Sequence, residues 1–219
     1  PLLDGLIAYF PFTGNANDES GNGYHGTVTG GAILTTDRHG NANKAYSFDG
    51  SNDYISAPDG ALKSNQFTIS VWFKMADWDN SGQNFQTIVG KKYNGAIWYD
   101  NSPGVETMRV EFIPQTGPSK GTYVNGGAKW KPALETWYHA VGTFGGSGSR
   151  IMLYINGNLV SQSDVINVDP WIKNEILGIG VWGDGTQGRY FKGASDDIRI
   201  YNRALSAAEV SSLYNTEKP

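Results

Sequence analysis

The 219 residues include no cysteine, which excludes disulfides, zinc–thiolate sites and a cysteine nucleophile. Charge is sparse. Asp, Glu, Lys and Arg make up 17% of the chain, against an average of roughly 25%. No stretch gathers Lys and Arg, so the electrostatic footprint of a nucleic-acid or anionic-membrane surface is missing. The net charge of −4 is mild and leaves room for a cation. No run of 18 apolar residues occurs, so no helix is long and apolar enough to be inserted in a membrane. Helical periodicity is also nearly absent, and only one short segment near the C-terminus carries it.

What the chain has in excess is glycine, 29 residues, about twice the usual share, and aromatic residues, 13%. This composition suits short strands joined by tight turns. Phe67, Ile69, Val71, Phe73 and Met75 alternate with Thr68, Ser70, Trp72 and Lys74, the period of a strand with one buried face. Trp72 indicates that the second face is not simply wet. Ile151, Leu153 and Ile155 alternate likewise and lead into Asn156-Gly157, a pair that tolerates positive φ and signals a hairpin. Further strands are expected near 6–12, 44–49, 53–57, 85–91, 95–99, 107–113, 136–144, 175–181 and 195–202. Ser206-Ala207-Ala208-Glu209 is a capping box, with Leu205 and Val210 at staple positions. The helix that it starts is expected to seal one end of the sandwich. Many strands and one helix predict an all-β fold, a two-sheet antiparallel β-sandwich, in a single domain over 1–219.

Two segments carry a resemblance. One runs from Gly5-Leu6-Ile7-Ala8-Tyr9-Phe10-Pro11-Phe12 through Asn15-Ala16-Asn17-Asp18-Glu19-Ser20-Gly21-Asn22-Gly23 and His25-Gly26 to Ala45-Tyr46-Ser47-Phe48-Asp49-Gly50. The other is Tyr190-Phe191-Lys192-Gly193 followed by Asp196-Asp197-Ile198-Arg199-Ile200-Tyr201-Asn202-Arg203. Both resemble the bacterial laminin-G-like, concanavalin-A-like jelly rolls, and the likeness covers nearly the whole chain. It implies a jelly roll, secretion from a bacterium, and a calcium ion joining the N-terminal loop to the last strand. Asp18 and one of Asp196 and Asp197 are carried over as side-chain ligands, with Asn22 and carbonyls near Tyr24 and His25 less firmly placed. Oxygen-rich loops suit calcium, which takes 6–8 hard ligands. The competing reading makes Asp18 a turn residue and Asp196 a backbone cap. The sequence opens Pro1-Leu2-Leu3-Asp4 without an initiator Met, as an excised domain or a mature product would.

No pair of carboxylates stands at the spacing of a glycosidase motif. Glu106 and Glu111 are five apart and fall on opposite strand faces. Tyr190-Phe191-Lys192 matches a lyase motif of related folds in letters only, since the companion motifs are missing. His139 reads as a structural histidine on a strand, and His25 and His39 lie in loops without sequence partners. The chain therefore reads as non-catalytic.

Sugars stack their C–H faces on aromatic rings and bond their hydroxyls to polar side chains at the rim. Trp98 and Trp182 stand beside turn residues and polar groups, so they are the candidate platform, with Tyr93, Asp100, Asn101 and Asp184 around them. The alternative is that these rings cover an edge of the sandwich. Three function classes follow: a carbohydrate-binding module of a larger secreted enzyme or adhesin, a structural or protein-binding module, and a hydrolase or lyase with an unrecognised site. The first is the reading taken forward, with a polysaccharide or glycan as partner.

Overall fold

The computed structural model describes residues 2–78, 82, 84–117, 124–186 and 188–219. Among them two antiparallel sheets face each other. The larger runs in the order β13 (Asn158–Gln162), β12 (Ile151–Ile155), β11 (Trp137–Phe144), β6 (Phe67–Met75), β15 (Lys192–Tyr201), β4 (Ala45–Asp49) and β3 (Ile33–Thr35), and β1 (Leu6–Phe10) also pairs with β15. The smaller runs β10 (Val124–Lys129), β9 (Thr107–Phe112), β8 (Gly95–Asp100), β7 (Phe85–Lys91), β14 (Leu177–Ile179), β5 (Tyr54–Ala57) and β2 (Thr27–Thr29). The one α-helix, α1, spans Ala207–Glu217.

Alternation builds the core as expected. Ile69, Val71 and Phe73 of β6 and Leu153 of β12 point inward from the larger sheet. Ile97, Tyr99, Met108, Val110 and Phe112 meet them from the smaller one. Gly142 is a close-approach position, because a Cβ there would lie 2.6 Å from the Val110 methyls across the sandwich. Asn156 and Gly157 adopt φ of 49° and 75° in the β12–β13 hairpin, the turn that the Asn-Gly pair encodes.

Several expectations are corrected. The first strand ends at Phe10 rather than 12, and Phe12 sits in the left-handed region at φ 51°. The strands β2, β3 and β10 were not expected. Gly126-Gly127 in β10 reads as a turn, yet a Cβ at Gly126 would press 3.0 Å from the Ile151 side chain of the facing sheet, so glycine fits there for want of space.

The helix does not seal an end of the sandwich. Its capping box forms, with Ser206 accepting from Glu209 N and Glu209 returning to the cap amide. Val210 then packs with Val141, Tyr154, Tyr201 and Leu205 on the outer face of the larger sheet. This explains why Trp72, on that face, is buried. The Trp72 ring stacks against His139 at 5.1 Å and against Tyr214 of α1 at 5.8 Å. His139 Nε2 lies 2.8 Å from Ser70 Oγ. Burial, aided by the nearby Arg199 and Arg38 charges, pushes its pKa down from 6.5 to about 3.

This histidine stays neutral in the fold while the unfolded chain takes up a proton below its ordinary pKa. The unfolded state therefore binds more protons between about pH 6.5 and about 3, and acidification over that window destabilises the fold. Denaturant unfolding of wild type and His139→Gln across this range should show a shallower loss of stability in the variant. Parallel profiles would refute the buried neutral imidazole.

Candidate functional site

The two halves of the expected calcium site are not brought together as ligands. Asp18 is 5% exposed, and each of its oxygens already accepts two hydrogen bonds. Oδ1 takes Tyr9 N and Ser20 N, both at 2.9 Å. Oδ2 takes the Ser20 hydroxyl and Tyr24 N, also at 2.9 Å. These donors hold its pKa below the ordinary carboxylate value against the opposing effect of burial. Asn22 is turned away, donating from Nδ2 to the Ile7 carbonyl at 2.9 Å.

Asp196 and Asp197 both face Arg38. Nη1 pairs with Asp196, and Nη2 lies 2.7 Å from Asp197. Adjacent strand residues ordinarily point to opposite sides, so only one was expected at any site. A bulge between Asp196 and Arg199 inserts an extra residue, and Asp197 adopts φ 43°, which turns both carboxylates to one side. Asp197 also accepts the Tyr9 hydroxyl at 2.6 Å. Arg199 pairs with Glu217 at the end of α1, and Glu217 accepts the Trp72 indole N–H at 2.9 Å. Burial and the neighbouring Asp197 raise Asp196 to about 7, with Arg38 opposing.

The expected ligand set does not fit calcium. A guanidinium occupies the cationic position between the two carboxylates, and the Asp18 oxygens are saturated by N–H and O–H donors. Among the described residues no group of three or more His, Asp and Glu converges as a metal site.

The other outer face is different. On the smaller sheet Trp98 stands opposite Arg109 and Thr87, and Glu111 opposite Ala96 and Asn125. Phe85, Trp98, Asp100, Arg109, Glu111, Asn125 and Arg189 line an open depression of about 220 Å³. Phe85 and Trp98 meet edge-to-face with centroids 5.3 Å apart. The Arg109 guanidinium lies 5.3 Å from the Trp98 ring and 3.2 Å from Asp100 Oδ2. Arg189, held by the glycine-rich loop after β14, covers Phe85, Trp98 and Trp182 at 5.2, 5.8 and 5.3 Å. This arrangement offers an aromatic wall, hydrogen-bond donors in a planar fork and two carboxyl groups, with no metal required.

The predicted platform residues divide. Trp98 and Asp100 line the depression, but Trp98 is only 7% exposed, because two arginines cover its ring. Trp182 is 1% exposed and packs beneath Arg189 with Trp98, Ala96 and Ile113. It is therefore a support and not an open stacking face, contrary to the expectation that a glycine-rich turn leaves it uncovered. Gly180 at φ 83° folds the chain back so that the ring tucks under. Tyr93 packs against the Trp98–Trp182 cluster but does not line the depression; its ring meets Trp171 at 5.1 Å, with Lys173 over both rings. Asn101 donates its amide to the Asn84 carbonyl, and Asp184 closes a turn by accepting from Thr186. Sequence reasoning missed Phe85, Arg109, Glu111, Asn125 and Arg189. The inward alternation of Met108, Val110 and Phe112 already placed Arg109 and Glu111 outward, but only the pairing register puts them beside Trp98.

Asp18→Ala should lower the melting temperature by several degrees, and by the same amount in excess calcium and in excess EDTA, because it removes four hydrogen bonds worth about 1 kcal/mol each. A loss seen only with calcium present would restore the metal to this loop.

Comparison places this geometry in context. No curated protein sequence matches the chain. Domain 4 of AbnA, a GH43 extracellular arabinanase from Geobacillus stearothermophilus, was solved in complex with arabinotriose. It is 25% identical, with a TM-score of 0.71 over 95% of this chain and 98% of that domain. The receptor-binding domain of botulinum neurotoxin C/D mosaic serotype (16% identity, TM-score 0.74) and the binding domain of Paraclostridial Mosquitocidal Protein 1 (18%, 0.75) share the fold over 99% of this chain. The chain spans about half of each of those toxin domains, 52% and 53%. The family model of the concanavalin A-like lectin/glucanases superfamily matches residues 49–211, most of both sheets and the start of α1, and the chain belongs to that superfamily.

Proposed function

We propose that this chain is a non-catalytic carbohydrate-binding module, working outside the cell as part of a larger protein, with its ligand on the outer face of the smaller sheet. The observation that carries the reading is the depression itself. One side of the sandwich gathers an aromatic wall, two guanidinium groups, two carboxyl groups and an amide around about 220 Å³. On the opposite outer face α1 packs over Val141, Tyr154 and Tyr201. A saccharide needs that combination of apolar ring contact and rim hydrogen bonding, and flanking arginines suit hydroxyl acceptors. The AbnA domain, solved with arabinotriose, supports a pentose oligosaccharide as the first ligand to try.

The non-catalytic reading is supported by the way Asp100 is held, paired with Arg109 and accepting from Ser102 N. Asp100 stands opposite Thr107 and Glu111 opposite Ala96, four residues apart along the strands.

Calorimetry against arabinotriose and a panel of neutral and uronic-acid oligosaccharides tests the reading. Trp98→Ala and Arg109→Ala should each weaken binding at least about tenfold, the usual scale for an aromatic or arginine anchor. Asp184→Ala, in a turn outside the depression, should leave affinity unchanged. Wild-type protein that binds no glycan, or two variants that bind normally, would remove the proposal.

A further inference from the structure

The floor of the depression holds polar groups that the sheet leaves unsatisfied. Glu111 is fully buried, and neither carboxyl oxygen has a hydrogen-bond partner. Its cross-strand neighbours are the Ala96 methyl and the exposed Asn125. The Trp98 indole N–H is turned toward this carboxyl but closes no hydrogen bond of good geometry. Thr87 Oγ1, opposite Trp98 on the same face, and Arg109 Nε are also without partners. Buried polar groups are nearly always paired, and an orphaned one costs stability. Three residues that line one opening, with Thr87 beside Trp98, carry orphaned groups and describe a surface short of its ligand.

We propose that Glu111 is the specificity-determining contact of this site, taking a vicinal pair of hydroxyls on a neutral saccharide by donating one hydrogen bond and accepting another. This rests on the reading of the face as a glycan site. The groups facing Glu111 are Arg109 on its own strand, Trp98 and Asp100 on β8, Asn125 on β10 and Arg189 on the loop. Burial outweighs both arginines and the indole N–H, and raises Glu111 to about 8. At neutral pH the side chain is thus mainly a carboxylic acid, with one O–H to give and one carbonyl to receive. That matches a diol, each hydroxyl of which also gives and receives. A uronic acid would instead set its carboxylate beside Asp100 and offer Glu111 only acceptors. Above about pH 8 the acid loses its proton and its donor, and a desolvated carboxylate forms that the ligand must compensate.

The test is calorimetry with arabinotriose, or with the tightest-binding neutral oligosaccharide of the panel, at about pH 6 and about pH 10. Wild type should lose about tenfold in affinity between the two, the equivalent of one hydrogen bond. Glu111→Gln keeps a donor and an acceptor at every pH, so it should bind as wild type does at pH 6 and show no pH dependence. Glu111→Ala should lose at least about tenfold at pH 6, with the circular dichroism of both variants checked for a native fold. The carboxyl carbon resonance of Glu111 gives a ligand-independent readout and should titrate near 8 in the free protein. Normal binding by Glu111→Ala, a flat wild-type profile, a resonance titrating in the ordinary carboxylate range, or tighter binding of trigalacturonate than of any neutral sugar would overturn the inference. Wild type that binds no panel member at either pH would instead remove the glycan reading itself.

Discussion

The guanidinium of Arg38 joins Asp196 and Asp197 on the last strand, donates from Nε to the Glu217 carbonyl at the end of the helix, and lies 4.8 Å from the Trp72 ring. The hydrogen-bonded contacts among these span 158 to 179 residues of sequence. They hold α1 flat against the larger sheet, where Glu217 meets Arg199 and Trp72. On that side the helix covers Val141, Tyr154 and Tyr201, and the stack of His139, Trp72 and Tyr214 covers the middle of the sheet. The aromatic and charged groups that suit a sugar gather instead on the other outer face.

The network differs in kind from a calcium site. Calcium would draw six to eight oxygens inward, whereas a guanidinium brings five donors in a fixed fork and one positive charge. Burial first, and then the neighbouring Asp197, raise Asp196, and the arginine opposes both. Such a buried pair adds little over an apolar replacement, but removing one partner strands a charge and costs several kcal/mol, about 3–5. The network thus fixes one arrangement of strand and helix more than it deepens the energy well. Asp18 fixes the first loop in the same way, through backbone amides of Tyr9, Ser20 and Tyr24.

How far the sequence alone reaches depends on the range of each interaction. The alternation through Phe67–Met75, the Asn156-Gly157 turn and the Ser206–Glu209 capping box are local signals, and each forms as read. The strand β10 was hidden because Gly126 and Gly127 speak for a turn locally, while the reason for Gly126 lies across the sandwich at Ile151. Asp18 in isolation fits a ligand and a turn equally, and only its four donors decide between them. The bulge at Asp197 defeats the alternation rule that assigned one aspartate to each face. Arg38 gave no signal at all, since a lone arginine in a loop acquires meaning only from partners far along the chain. Trp98 was singled out by its polar neighbours in sequence, but its working neighbours are Arg109, Glu111 and Phe85, which strand pairing supplies.

The two outer faces now show opposite treatments of the same problem. On the larger sheet the carboxyl groups of Asp196, Asp197 and Glu217 each meet an arginine, and the Trp72 indole N–H is paired. On the smaller sheet Glu111 is equally buried, with arginines nearby, yet it bonds to neither of them, and the Trp98 indole N–H is left over. A partner was within reach on the smaller sheet, since Asn125 directly opposite Glu111 already carries an amide. Local rules of polar satisfaction are broken most often where a ligand completes them. The raised Glu111 also carries a stability cost of definite sign. The folded state holds its proton between the ordinary carboxylate value of 4.5 and about 8, so the fold binds more protons than the unfolded chain there, and stability falls as pH rises through that window. Retaining an acid that weakens the fold toward alkaline pH is intelligible if the group serves whatever enters the depression, and not the sheet that carries it.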